Sequence, residues 1–312
     1  VVTNDDLALR LDTTDEWITA RSGIRQRYVV DPGTATSDLA IAAAADALGS
    51  DLRNGGTGKV ELVVLATTTP DRPCPATAPL VASRLGLGTI PAFDLNAVCS
   101  GFLYGLSTAS AMIHSGAVAS ALVIGADTYS SILDQNDRRT AFLFGDGAGA
   151  MVLRAGSPSA VHAVELGSDG ELEELIIVPD GGSRVPRSAH PTQVWFTMQG
   201  QAVYRHAVDR MARSTLSVLG RVGWDISEVD RFVGHQANGR ILEAVATRIG
   251  LPTDRLIVNL DRVGNTAAAS IPLALAQAAA EGELRAGDRV VLAAFGGGAS
   301  WGAAALTWPQ LD

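Results

Sequence analysis

Residues 100–113 read Ser-Gly-Phe-Leu-Tyr-Gly-Leu-Ser-Thr-Ala-Ser-Ala-Met-Ile, and residues 267–280 read Ala-Ala-Ala-Ser-Ile-Pro-Leu-Ala-Leu-Ala-Gln-Ala-Ala-Ala. Neither stretch carries a charged residue. A helix that is apolar all round is buried on every side. Two such helices, one in each half of the chain, are expected to form a central layer between two sheets. The sequence around them repeats the same order of elements. Val60–Ala66 reads as a buried strand, followed by a second strand at Ala92–Leu95, a turn carrying Cys99, the first apolar helix, and a strand at Ala121–Gly125. In the second half Val229–Gly234 is followed by a strand at Leu256–Leu260, a turn carrying Asn265, the second apolar helix, and a strand at Val290–Ala294. Cys99 lies 39 residues beyond Val60, and Asn265 lies 36 beyond Val229. Matching halves predict a duplicated α/β fold of 1–157 and 158–312, with its seam in the small-residue stretch Ala155–Ala160. Further helices are expected at Ser37–Leu48, Ala76–Leu85, Gly200–Leu219 and Arg240–Ile249.

Composition removes several classes of function. The 312 residues are 47% hydrophobic and 18% charged, which is globular rather than disordered or fibrous. The net charge of −9 argues against an overall electrostatic grip on nucleic acid or anionic lipid. Two cysteines, Cys74 and Cys99, make neither a disulfide framework nor a zinc pattern, and the five histidines at 114, 162, 190, 206 and 235 are scattered. No signal peptide or uninterrupted apolar 18-mer is evident, so a soluble cytoplasmic protein is expected.

Cys99 is the first candidate for chemistry. A lone buried cysteine is often an inert small hydrophobe, but this one opens a helix, where the dipole is expected to favour thiolate and backbone N–H groups suit an oxyanion. His235, in Gly234-His-Gln-Ala-Asn238, follows a strand end and reads alone as a structural histidine. Asn265, in Gly264-Asn-Thr-Ala-Ala-Ala-Ser270, reads alone as a helix cap. Placed at equivalent edges of the two halves, they are able to converge on Cys99. A nucleophile that holds an acyl group, with two neutral donors that stabilise an enolate, serves carbon–carbon bond formation at a thioester. The glycine run Phe144-Gly-Asp-Gly-Ala-Gly-Ala150 lacks the strand–turn–helix setting of a phosphate loop. Phe295-Gly-Gly-Gly-Ala-Ser-Trp-Gly302 lacks a P-loop lysine and reads as close backbone packing beside a reacting centre.

The combination resembles the β-ketoacyl-acyl carrier protein synthase III family of the thiolase superfamily. The pieces that carry the resemblance are Asp12–Ile18 with Arg21–Arg25, Cys99–Phe102, Asp137-Arg138 with Phe144–Gly149, Gly234–Asn238, Gly264–Ser270 and Phe295–Gly302, in the family's order over nearly the whole chain. The resemblance implies a thiolase-like, duplicated five-layer αβαβα fold, a homodimer, and no metal or redox cofactor, with coenzyme A thioester as substrate. It implies that Cys99 is acylated by a starter acyl-CoA. His235 and Asn265 then stabilise the enolate from malonyl-acyl carrier protein, and the N–H groups of Cys99 and Gly297 form an oxyanion hole. It further implies that Trp17 and Arg138 sandwich the CoA adenine, that Arg21 reaches the CoA phosphates and Asn238 the pantetheine amide, and that Phe144 and Phe295 are substrate-binding positions. Arg205 and Arg240 match a basic patch for the acidic carrier protein. Cys74 matches a position that reaches across the dimer to floor the partner's acyl tunnel. A member would carry one more strand ahead of Val1-Val-Thr-Asn4, so the N-terminus is expected to be trimmed. Thiolases carry a second cysteine in the C-terminal glycine-rich segment, which Phe295–Gly302 lacks, and chain-elongating synthases carry a histidine where Asn265 stands. A secondary-metabolite condensing enzyme with another acceptor, plant-type polyketide synthases among those sharing the triad, and a non-catalytic acyl-binding scaffold remain as alternatives.

Overall fold

The computed structural model describes residues 1–186 and 194–311, and His190 lies outside the described residues. A short strand β1 (Val2–Thr3) pairs antiparallel with β2 (Gln26–Arg27), with helices α1 (Asn4–Ala8) and α2 (Asp15–Ser22) between them. The first main sheet is built from β3 (Val63–Ala66), β4 (Ala92–Leu95), β5 (Ser120–Asp127) and β6 (Gly147–Arg154), in the order β4-β3-β5-β6. β3 runs parallel to β4 and β5, while β5 and β6 are antiparallel. The second sheet takes β7 (Val161–Ser168), β10 (Arg231–Gly234), β11 (Arg289–Gly296) and β12 (Ser300–Thr307), in the order β10-β11-β12-β7. Here β10 and β11 are parallel and β11 and β12 antiparallel, so β10-β11-β12 repeats the sense of β3-β5-β6. β8 (Ile176–Ile177) and β9 (Thr197–Met198) form a separate two-stranded antiparallel sheet. The chain leaves the first sheet at Arg154 and enters the second at Val161.

Strand alternation builds the layers. Leu62, Val64, Ala121 and Val123 point inward to a cluster with Phe102, Leu103 and Leu106 of helix α5 (Gly101–His114) and with Ile271 and Leu275 of α9 (Ser270–Ala280). Val63, Leu65, Leu122 and Ile124 point the other way, against Ala40 and Ala44 of α3 (Thr36–Arg53) and Val81 of α4 (Ala78–Arg84). In the second sheet Val290 and Leu292 join the central cluster, while Val291 and Ala293 pack on α6 (Gly200–Val222) and α7 (Gly239–Ile249). Five layers result, with α5 and α9 in the middle. Residues such as Leu106, fully buried there, anchor the sandwich; truncating one to alanine costs ~2–5 kcal/mol.

Two expectations are corrected. Leu256–Leu260 is not a strand: only Leu256 bridges to Phe232, and helix α8 (Leu260–Val263) starts at once. The buried Gln236 side chain takes the place of a strand neighbour, donating to Ile257 O and accepting from Asn259 N–H and Leu260 N–H. Asn265 does not open the second apolar helix either. A single 3₁₀ turn, Ala267–Ala269, intervenes, and α9 begins at Ser270.

Candidate active site

Cys99 sits on a 3₁₀ turn, Val98–Ser100, between β4 and α5. Asn96 Oδ1 accepts from Val98 N–H at 3.1 Å, and Val98 takes a positive φ of 49°, which turns the chain sharply into the helix. The hydroxyls of Ser100 and Ser300 stand 2.7 Å apart, and both reach the carbonyl of Ala97. They fasten the cysteine turn to the C-terminal glycine-rich loop. Gly296 lies so close that a Cβ there would stand 2.8 Å from Cys99 N, so only glycine lets that loop approach. This brings the adjoining Gly297 beside the cysteine turn. The surroundings of Cys99 act against the lowering of its pKa expected from a helix start. Burial, and then the negative charge of Asp127, push the thiol above its ordinary value, while a backbone hydrogen bond at Cys99 pulls it down by less.

His235 follows β10 and is 3% exposed. Burial pushes its pKa down to about 3, so the imidazole is neutral. Its Nδ1 lies 2.6 Å from Ser270 Oγ, at the first residue of α9. That oxygen also accepts from Gln236 N–H, and among the described residues its proton has no acceptor other than Nδ1. The hydrogen-bond network therefore assigns the imidazole proton to Nε2.

Asn265 is held by its backbone on both sides. Its N–H donates to Leu143 O at 2.9 Å, and Gly145 N–H donates to its carbonyl at 3.0 Å. Its side-chain Oδ1 accepts from Ala267 N–H at 3.0 Å, so Nδ2 remains the donating end. The 142–145 segment is pinned in turn by Arg27, which is 1% exposed and donates to Phe142 O, Asn4 Oδ1 and Val2 O. Burial lowers the Arg27 pKa to about 10. The carboxylate of Asp146, in the Gly-Asp-Gly run, accepts from Val30 N–H and from the backbone and hydroxyl of Ser130. That glycine run is thus a clamp leading into β6.

Cys99, His235 and Asn265 line one cavity, whose walls include Phe144, Phe196, Met211 and Phe295. Outside it, the Arg21 guanidinium lies 4.4 Å and that of Arg138 4.9 Å from the Trp17 ring centre, on rings braced by Phe142. Asn238 caps α7 and donates to Arg21 O, which ties α7 to this aromatic corner. Arg205 on α6 and Arg240 on α7 are exposed, on two helices that pack together. Cys74 is exposed on the loop between β3 and α4 and does not line the cavity of its own chain. Sequence reasoning passed over three residues. Ser270 closes the quoted Gly264–Ser270 block, so its signal was present. Asp127, 0% exposed, accepts N–H bonds from Thr68, Thr69 and Ala268 and hydroxyl bonds from Thr67 and Thr69, joining the two halves. Tyr129 lines the cavity and had no motif to mark it.

Two packed sheets around a pair of buried helices, with a cysteine on the turn into one of them, define a thiolase-type condensing enzyme. The chain is 57% identical over 317 residues to β-ketoacyl-[acyl-carrier-protein] synthase III 5 of Streptomyces coelicolor, covering 100% of this chain and 94% of that one. It is 50% identical to the synthase III of Pseudomonas aeruginosa, covering 100% and 93%. Models described as 3-oxoacyl-[acyl-carrier-protein] synthase III and its C-terminal part match residues 93–170 and 219–308. The chain belongs to the 3-oxoacyl-[acyl-carrier-protein] synthase III family, whose members are condensing acyltransferases. Among solved structures, the synthase III of P. aeruginosa PAO1 superposes with a TM-score of 0.92 at 47% identity, covering 99% of this chain and 94% of that one. The priming β-ketosynthase from the R1128 polyketide pathway superposes at 0.93 with 31% identity, covering 100% and 93%. Among the described residues no helix is long and apolar enough to cross a membrane.

Proposed function

We propose that the chain condenses a starter acyl-CoA with malonyl-acyl carrier protein, priming fatty-acid or polyketide synthesis. The observation that carries this reading is the shared cavity of Cys99, neutral His235 and Asn265. In the loading step the Cys99 sulfur attacks the acyl carbonyl, the CoA sulfur leaves, and the thiol proton passes to it. Burial raises the thiol's pKa, so the sulfur enters the loading step with its proton. The N–H groups of Cys99 and Gly297 receive the oxyanion. Malonyl-carrier then loses carbon dioxide. The resulting enolate oxygen takes hydrogen bonds from His235 Nε2–H and Asn265 Nδ2–H, and its carbon attacks the Cys99 thioester and expels the thiolate. Two preorganised neutral donors supply the charge stabilisation, so the reaction calls for no metal or redox cofactor.

The halves 1–157 and 158–312 supply the nucleophile and the two donors respectively. Trp17 and Arg138 would part to admit the adenine, Arg21 would meet the phosphates and Asn238 the pantetheine, with Phe144 and Phe295 walling the acyl group. Arg205 and Arg240 would form the landing for the acidic carrier, a local positive rim on a chain of net charge −9. A homodimer would bring Cys74 of each chain to the other's tunnel. The place of action would be the cytoplasm. The test is incubation with an acyl-CoA followed by intact-mass measurement. The chain gains one acyl group, Cys99→Ala gains none, and adding malonyl-carrier discharges the label as a β-ketoacyl product. A wild-type chain that takes up no acyl group from a panel of acyl-CoAs overturns the reading.

A further inference from the structure

Three of the polar groups that line the cavity, Cys99, His235 and Asn265, have tasks in the condensation. Tyr129 has none. It is 1% exposed, on the turn Tyr129–Ile132 that follows β5. Among the described residues its hydroxyl makes no hydrogen bond, and it is not one of the fully enclosed unpaired polar atoms, so it keeps accessible surface. Its ring cannot swing away. It stacks on Phe144 with centroids 4.4 Å apart and an interplanar angle of 11°, and meets Phe196 edge-on at 5.4 Å. A buried tyrosine hydroxyl ordinarily finds a partner, because desolvating it unpaired is costly. The clamp therefore holds a donor without a protein partner in the wall of the cavity that Cys99, His235 and Asn265 also line.

Resting on the assignment of Cys99 as acyl acceptor, we infer that Tyr129 is a specificity-determining residue that hydrogen-bonds an oxygen carried on the starter's acyl chain, so that the pocket selects hydroxylated or oxo-acyl thioesters over plain ones. Tyr129 and Cys99 line the same cavity, so the hydroxyl's side chain and the acyl-bearing sulfur share one pocket. Burial raises the phenol's own pKa well above its ordinary value, which keeps it a neutral donor. A site with a hydrogen-bonding group in place rejects an analogue that leaves that group unpaired.

The test compares Cys99 loading from butyryl-CoA and 3-hydroxybutyryl-CoA, followed by intact mass, in the wild type, Tyr129→Phe and Tyr129→Leu, with acetyl-CoA as reference. The hydroxy-to-plain rate ratio is expected to fall about tenfold in both variants. Butyryl loading should rise as hydroxybutyryl loading drops. Opposite movements of the two substrates separate recognition from a packing role, which would lower both together. An unchanged ratio in both variants overturns the inference. So does a wild-type chain that loads acetyl but neither four-carbon thioester. A chain that loads nothing, acetyl included, overturns the assignment of Cys99 first.

Discussion

Asn96 and Asn265 occupy the same place in the two halves. Each side-chain oxygen accepts the N–H of the residue two positions on, Val98 at 3.1 Å and Ala267 at 3.0 Å, and each of those residues has a positive φ, 49° and 48°. The duplicated counterpart of Cys99 is therefore Ala268, and that of Asn265 is the exposed Asn96. Both halves carry an asparagine before the turn; the first alone carries a cysteine on it, where the second has Ala268. The turns also face the opposite half's sheet: Gly125 of β5 leaves room for Ala268 O, as Gly296 of β11 does for Cys99 N.

That equivalence sharpens the test of Asn265. Asn265→Asp keeps an oxygen to accept from Ala267 N–H but removes the Nδ2 donor, whereas Asn265→Ala removes both. If the residue acts as an enolate donor, both variants should lose on the order of 10²–10³ in condensation rate while Cys99 loading is affected far less. His235→Ala should behave alike. Cys99→Ala should abolish acyl transfer yet still release carbon dioxide from malonyl-carrier. Condensation by Asn265→Asp at the wild-type rate would reduce Asn265 to a turn residue.

The neutrality of His235 makes a pH prediction with a definite sign. Its folded pKa of about 3 lies below the ordinary 6.5, so between those values the unfolded chain binds a proton that the folded chain refuses. Relative to His235→Gln, the wild type should lose ~1.4 kcal/mol of stability per pH unit as pH falls through this window. Asp127 acts in the opposite sense. Its carboxyl is raised from 3.8 to about 6 by burial, so its contribution is lost as pH rises between those values. Denaturant melts of wild type, His235→Gln and Asp127→Asn at several pH values read the two slopes separately. Imidazole NMR signals of His235 that titrate between pH 5 and 8 would contradict the assignment. Ser270→Ala, which frees the tautomer, should slow condensation and leave loading nearly intact.

The layers and central helices were legible because burial writes itself into composition. Gly101–His114 and Ser270–Ala280 carry no interior charge, and the strands alternate between two apolar faces. The turn geometry was not legible. Val98 and Ala267 carry the positive φ angles, and neither residue type signals that conformation as glycine does. Sequence spacing thus aligned Cys99 with Asn265 when its true counterpart is Ala268. The false strand at Leu256–Leu260 has a similar cause, since a side-chain amide, Gln236, supplies the partners that periodicity assigned to a sheet. The thiol's raised pKa was hidden as well, because a helix start is visible in sequence but the burial and the Asp127 carboxylate facing it are not.

The aromatic corner and the basic helix pair should separate the two substrates. Trp17→Ala removes the ring against which Arg21 and Arg138 lie, and should raise KM for the acyl-CoA with little effect on the carrier-borne substrate, which has no adenine. Arg240→Glu should do the reverse, and its effect should shrink with added salt because the contact is between exposed charges. Steady-state kinetics with each substrate varied in turn read both. Equal losses for both substrates in both variants would point to general destabilisation.

Cys74 is small and exposed, on a stiff loop between Pro73 and Pro75, and its own chain's cavity is formed without it. Its effect on acyl length therefore depends on a second copy of the chain. If the loop floors the partner's tunnel, a cysteine there leaves more depth than a bulky aromatic would. Starters of four carbons or more should load, each further buried CH₂ adding ~0.8 kcal/mol until the tunnel is full. Cys74→Phe should cut long-chain loading and leave acetyl loading largely intact, with the sedimentation behaviour of the wild type retained. Acetyl-only loading by the wild type, unaltered in Cys74→Phe, would move the length limit to the chain's own wall, where Phe144 is held between Tyr129 and Phe196.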